Sequence, residues 1–195
     1  MPSILDTLSA HLDDNALRQI SNRLGTDQGA TSKAIAAAVP LLLGALARNA
    51  SEGDGAQRLN DAIARDHDGS VLNDVPGTLQ SAPLSGGEAI LGHVLGDRRD
   101  LAEQAVARSS GLDPAKAGPL LATLAPLVLG ALGRVRRDRG LDANGLAGLL
   151  GGEREALDAS APGVMGVVSR LLDRNHDGSV LDDVGGMLGS LFGKR

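Results

Sequence analysis

Two short phrases carry the residues best suited to ligand chemistry. Residues 66–75 read Asp-His-Asp-Gly-Ser-Val-Leu-Asn-Asp-Val, and residues 175–184 read Asn-His-Asp-Gly-Ser-Val-Leu-Asp-Asp-Val. Oxygen donors on alternate residues converge on a hard cation such as calcium, a glycine next to them allows the sharp turn, and a main-chain carbonyl completes that side. Counted from Asp173, the second phrase places Asp173, Asn175 and Asp177 at the first, third and fifth positions, Gly178 at the sixth and the carbonyl of Ser179 at the seventh, with Asp183 as a further acid at the eleventh. The first phrase is weaker. Its first position is Ala64, which leaves Asp66 and Asp68 at the third and fifth and Asp74 at the eleventh.

The second phrase resembles the start of an EF-hand or dockerin-type calcium loop, and it departs from that pattern at the twelfth position, where Val184 stands in place of an acidic ligand. The competing account needs no metal. Asp-x-Asp-Gly-Ser is turn and cap chemistry, with side-chain oxygens bound to nearby amides. A third use of the same residues is an Asp–His hydrolytic centre built on His67 or His176. The chain has no Cys and no Tyr, and no nucleophile elbow or zinc spacing is present, so a non-enzymatic protein is expected. His93, in an apolar stretch, reads as a hydrogen-bonded histidine at a helix interface, and His11 as a surface residue without a partner. The one basic cluster, residues 134–139, reads as a solvated helix end, where cations suit the C-terminal dipole. A net charge of −5 and a single aromatic residue, Phe192, argue against nucleic acid.

The elements that must hold these loops are themselves repeated. Val39-Pro40-Leu41-Leu42-Leu43-Gly44-Ala45-Leu46-Ala47-Arg48 returns as Ala125-Pro126-Leu127-Val128-Leu129-Gly130-Ala131-Leu132-Gly133-Arg134, an offset of 86 positions (126 − 40). The expected architecture is therefore an all-α, multihelical single domain over 1–195, with internal repeats at approximately 14–80 and 100–192. Hydrophobic residues make up 42% and aromatic residues 1%, so the core must be aliphatic and built from many small contacts.

Capping signals divide the chain. Ser3, Asp13 and Thr26 or Asp27 start helices, Gly25 ends one, and Asp113-Pro114 starts another. The first long helix is expected over 33–48, with a kink or break at Pro40 that recurs at Pro126. Short helices are expected over 56–64, 89–96 and 101–109. An inserted segment around 140–160 adds another, and one more is expected over 161–172. Pro76-Gly77 and residues 83–87 read as turns. Gly92 and Gly96, four apart, offer a small-residue groove, and residues 70–72 allow at most a residue or two of extended pairing. Val184, Met187, Leu188 and Leu191 form one apolar stripe of a glycine-weakened helix, which reads as docking on its own core or on a neighbouring molecule.

Four phrases taken together, at residues 38–50, 66–74, 86–96 and 124–133, resemble the YidB-like bacterial family, a domain of unknown function. The resemblance implies a multihelical cytoplasmic protein and brings no activity, ligand or catalytic residue. The start of the chain lacks the basic opening and apolar run of a signal peptide, and the uncharged runs at 34–47 and 117–133 are short or broken by proline. These features point to a cytoplasmic protein without a transmembrane segment. The leading expectation is a structural or interaction protein that forms a homo-oligomer. A calcium-binding module is the first alternative, and an Asp/His-dependent hydrolase the second.

Overall fold

The computed structural model describes residues 3–81 and 83–160, and they form an all-α fold. The helices are α1 (Ile4–Ser9), α2 (Asp14–Leu24), α3 (Gln28–Ser51), α4 (Gly55–Asp66), α5 (Val75–Ser81), α6 (Leu84–Leu95), α7 (Arg99–Ser110), α8 (Pro114–Arg139) and α9 (Ala143–Ser160). Short 3-10 turns at Ser70–Asp74 and Gly96–Arg98 join some of them, and no strand occurs among the described residues.

Local chemistry sets most of the boundaries. Ser3 and Asp6 cap α1 reciprocally: the Asp6 N–H donates to Ser3 Oγ and the Ser3 N–H to Asp6 Oδ2, both at 2.9 Å. Asp13 and Asp27 accept the N–H groups of Ala16 and Ala30, each at 2.8 Å. Asp113 accepts from the Ala115 N–H at 2.9 Å, with Pro114 opening α8. Gly25, Gly111 and Gly140 end α2, α7 and α8 at φ of 63°, 73° and 62°, left-handed conformations that other residues adopt at a cost.

α3 and α8 are the centre. α3 packs against α2, α4, α6, α7, α8 and α9, while α8 packs against α1, α2, α3, α4, α6 and α7. Both are apolar nearly all round, the signature of a buried helix. Leu42 and Leu43 in α3, and Leu120, Leu121, Leu124, Leu127 and Leu132 in α8, are each at most 1% exposed. By length and composition alone both helices could cross a membrane; in this fold 72% and 78% of their apolar windows are buried. The expectation that the first run was too short for a span rested on residues 34–47, and α3 is longer, at 24 residues.

The helix boundaries follow the offset of 86. Shifted by that amount, α2 (14–24) falls on 100–110 and α3 (28–51) on 114–137, beside α7 at 99–110 and α8 at 114–139. Neither long helix breaks at its proline. Pro40 and Pro126 each lie inside a continuous helix. A proline leaves the carbonyl four residues earlier without its helical donor. For Pro40 that residue is Ala36, which is exposed. For Pro126 it is Ala122, which is 2% exposed, and Gly87 of α6 comes down on it. A Cβ built on Gly87 would stand 1.8 Å from the Ala122 oxygen, so the α-hydrogen in that direction points at the carbonyl.

That contact corrects two expectations. Residues 83–87 are not a turn: Pro83 is the N-cap of α6, and Gly86 and Gly87 lie within the helix because Gly87 must meet α8. The small-residue groove is at Gly87 and not at Gly92 and Gly96, which have open space around them. Pro76 and Gly77 likewise belong to α5. Proline is tolerated in a first turn, and Asp74 accepts the Gly77 N–H at 2.9 Å, satisfying the helix start. Residues 70–72 are 3-10 backbone, not extended.

The inserted segment is α9. Its buried residues Leu146, Leu150, Glu153 and Leu157 recur at helical spacing. Glu153 is 7% exposed, and its Oε1 accepts the Ile4 N–H at 2.8 Å, fastening α9 to the start of α1. Glu153→Ala is expected to cost about 1–3 kcal/mol, since it removes the acceptor of that amide. Urea unfolding measures it, and Glu155→Ala, at an exposed position of the same helix, should be near neutral. Residues 161–195 lie outside the described residues. They include the helix expected over 161–172, the later part of the expected second repeat, the stripe expected from Val184 to Leu191, and His176.

Candidate functional site

A cleft of about 590 Å³ opens between α4 and α6, within the roughly 300–1,000 Å³ usual for ligand pockets. α4 packs on α3, α8 and α9, and α6 on α3, α7 and α8, so the two helices wall a trough whose base comes from α3 and α8. Asn49, near the end of α3, joins the walls: its Nδ2 donates to the carbonyls of His93 at 3.3 Å and Val94 at 3.0 Å, so α4 begins where α6 ends. The cleft lining on α4 runs from Gly55 to Asp66, about 17 Å at 1.5 Å per residue, and on α6 only from Ala89 to Val94, about 8 Å. Its larger apolar lining residues are Leu46, Leu59, Ile90, Val94 and Leu129. Glu52, Arg58, Arg65, Asp66, His67 and His93 add ionisable side chains to the lining.

The first Asp-rich phrase meets this cleft at one corner and then turns away. Asp66 is held by its neighbour: Arg65 Nε and Nη2 donate to Asp66 Oδ2 at 2.9 and 2.7 Å. That bond keeps the Asp66 carboxyl below its ordinary range. Asp68 Oδ1 accepts the Ser70 N–H at 2.9 Å, and the hydrogen bonds from Ser70 hold its carboxyl low as well. Asp74 caps α5. Each carboxylate is thus engaged by a different local partner. Among the described residues, no group of three or more His, Asp or Glu is placed to hold a metal ion. The second phrase, with Asp173, Asn175, Asp177, Ser179 and Asp183, lies outside the described residues.

The basic cluster is what grips the first phrase, and this was not read from the sequence. Arg134 Nη2 donates to the Gly69 carbonyl at 3.5 Å and to Asn73 Oδ1, and Arg137 Nη1 donates to the Asp68 carbonyl at 2.8 Å. Arg136 Nε donates to Asn60 Oδ1 at 2.6 Å. The cluster is therefore a clasp from α8 onto α4 and its following loop, and not simply a solvated helix end. Spacing of three residues puts Arg134 and Arg137 on one face, which was the available signal. His11 belongs to the same clasp, contrary to expectation. Its Nδ1–H donates to the Thr7 carbonyl at 2.7 Å, which leaves Nε2 to accept from Arg134 Nη1 at 3.1 Å. His93, expected at a helix interface, is exposed on the cleft rim, because the buried face of α6 runs through Gly87, Leu91, Val94 and Leu95.

The family model described as "Bacterial protein of unknown function (DUF937)" matches residues 6–135 and 144–195. The chain belongs to this family. YidB is one of its members, so the resemblance read from the four phrases holds. The family's description carries no activity. No curated protein and no solved structure matched the chain.

The lining of the cleft mixes aliphatic and ionisable side chains. Among the described residues it contains no Ser, Thr, Cys, Lys or Tyr; its ionisable side chains are Glu52, Arg58, Arg65, Asp66, His67 and His93. His67 is half-buried, and burial pushes its pKa below the ordinary 6.5, against a smaller opposing effect of Asp66. A depressed histidine binds its proton less readily in the folded chain than in the unfolded one. Its contribution to stability is therefore full above about pH 6.5 and is lost as pH falls through the folded value. Thermal melts between pH 7 and 5 are expected to show a decline that flattens in His67→Asn, whereas Asp66 and Asp68 act only in the carboxylate range below it.

Proposed function

We propose that the protein is a non-enzymatic interaction protein that self-associates, and that the cleft between α4 and α6 takes up an amphipathic helix. The observation that carries this is the chemistry of the cleft: the apolar side chains Leu46, Leu59, Ile90, Val94 and Leu129 lie together with charged side chains of both signs. A helix laid in such a groove buries its apolar face and leaves its flanking charges to meet the rim. The rest of the described surface offers little else for association. Leu101, 43% exposed, is the one large hydrophobic side chain exposed among the described residues.

Size-exclusion chromatography with light scattering over a wide concentration range tests the reading. Association that grows with concentration and is lost in Ile90→Glu, with the far-UV spectrum retained, supports it. A strict monomer at the highest concentration, or association indifferent to Ile90→Glu, rejects it.

A further inference from the structure

We infer that the helix received by this cleft is α4 of a second copy, and that each copy's α4 enters the other's cleft antiparallel about a two-fold axis at Ala62. The inference rests on the reading of the cleft as a helix-binding groove and names the occupant. Gly55, Arg58, Leu59, Ala62, Arg65 and Asp66 line the cleft from α4, and their spacing of three and four puts them on one stripe of the helix. That stripe is complementary to itself when reversed. Arg58 and Asp66 lie four positions either side of Ala62 (62 − 58 and 66 − 62), and Leu59 and Arg65 lie three either side. Antiparallel pairing centred there sets Arg58 against Asp66 of the second copy twice, and Leu59 against the aliphatic stem of Arg65 twice. Ala62 meets its counterpart on the axis, where a small side chain lets the two helices approach. Parallel pairing about a two-fold axis would instead oppose Arg58 to Arg58 and Asp66 to Asp66. The two ionic groups are available for the contact. Arg58 is exposed and has no hydrogen-bond or ion-pair partner among the described residues. Both Arg65 bonds to Asp66 fall on Oδ2, and Oδ1 takes no donor among the described residues.

A wall of the cleft is thereby also its occupant. Seating α4 of one copy between α4 and α6 of another does the same in reverse, so the helices run α6, α4 of the second copy, α4, α6 of the second copy. On the far wall α6 contributes Ala89 and Ile90 to the lining. Gly92 beside them has nothing within 4 Å of a built Cβ, so this wall leaves room for the backbone of an inserted helix. Both clefts fill at once. A contact of this kind uses the same patch on both copies and closes on itself, so assembly stops at the dimer.

Reciprocal charges give a test that misfolding cannot imitate. In the full chain, Arg58→Glu alone opposes two acids at both ends of the pair, and Asp66→Arg alone opposes two bases. Like charges set against each other in an interface are strongly unfavourable, so each variant alone should dimerise at least about tenfold more weakly than the native chain. In an equimolar mixture of the two variants every opposed pair is again of unlike sign. The mixture should therefore recover dimers, with a dissociation constant within about threefold of the native one. Sedimentation velocity over a range of protein concentrations reads all four samples, and both positions are exposed, so the far-UV spectrum should be retained. A mixture that dimerises no better than either variant alone overturns the inference, as does an Arg58→Glu chain that dimerises like the native one. In either case Ile90→Glu still decides the cleft: if it abolishes association, the groove stands and α4 is not its occupant. Rescue in the mixture together with indifference to Ile90→Glu sets the α4 pair outside the cleft, and that overturns the inference too.

Discussion

Gly87→Ala is expected to cost the fold about 3 kcal/mol. The added methyl would stand 1.8 Å from the Ala122 oxygen and 2.6 Å from its carbon, and these are main-chain atoms of the central helix that cannot swing aside. Either α6 lifts from α8 or α8 deforms, and overpacking of this kind typically costs about 1–3 kcal/mol and sometimes more. The melting midpoint should fall by roughly 6–12 °C for a chain of this size. Gly86 supplies the control. It is exposed, one position earlier in the same helix, with nothing within 4 Å of its built Cβ. Gly86→Ala should stabilise by about 0.5–1 kcal/mol, because alanine loses less freedom in a helix. Two neighbouring glycines thus respond with opposite signs. If Gly87→Ala is neutral or stabilising, α6 is not seated on the Ala122 carbonyl.

Leu132→Ala should be as damaging by the opposite route. Leu132 is 0% exposed on α8, in the helix that most of the fold touches. Truncation loses the transfer energy of the deleted carbons and leaves a cavity, together about 2–5 kcal/mol. Among the described residues the core has no buried aromatic ring able to shift into the gap, which places the expectation in the upper half of that range. Leu101→Ala, at the exposed position, should change stability by less than about 0.5 kcal/mol. A loss below about 1 kcal/mol at Leu132, read from urea midpoints at constant m, would mean that the site collapses freely and the packing is looser than described.

Most helix boundaries were legible because they depend on neighbours in sequence. Ser3, Asp13, Asp27 and Asp113 cap where their types say they should, and Gly25 and Gly111 end helices by taking left-handed backbone. The same local rules misplaced Pro76-Gly77 and residues 83–87. Proline and glycine mark turns and helix starts alike, and the reason Gly87 is helical lies in Ala122, 35 positions later (122 − 87). Pro40 and Pro126 were expected to kink or break their helices, and neither helix breaks. What differs between them is the residue four positions earlier, exposed at Ala36 and buried under Gly87 at Ala122.

The cleft left almost no trace in the sequence. Its lining runs from Leu46 to Leu129 and forms no motif. The histidines were assigned the wrong way round, His93 inward and His11 outward, because a helical face is decided by the stripe it shares and His11's partner is Arg134, far along the chain. The Asp-rich phrase was visible, and the turn-and-cap account matches how Asp68 and Asp74 are used. The arginines that close over it were visible only as charge.

Gly87 is one of several seats where bare backbone meets a main-chain oxygen. Gly133 faces the His67 oxygen at 1.8 Å and Gly55 the Asn49 oxygen at 1.7 Å, measured to a built Cβ. A scaffold joined in this way inverts the usual pattern of substitution tolerance. Swaps among leucine, isoleucine and methionine elsewhere usually cost less than about 1.5 kcal/mol, while the smallest possible enlargement at these three glycines meets main-chain atoms. A saturation library selected for folding should therefore show its sharpest intolerance at positions with no side chain at all.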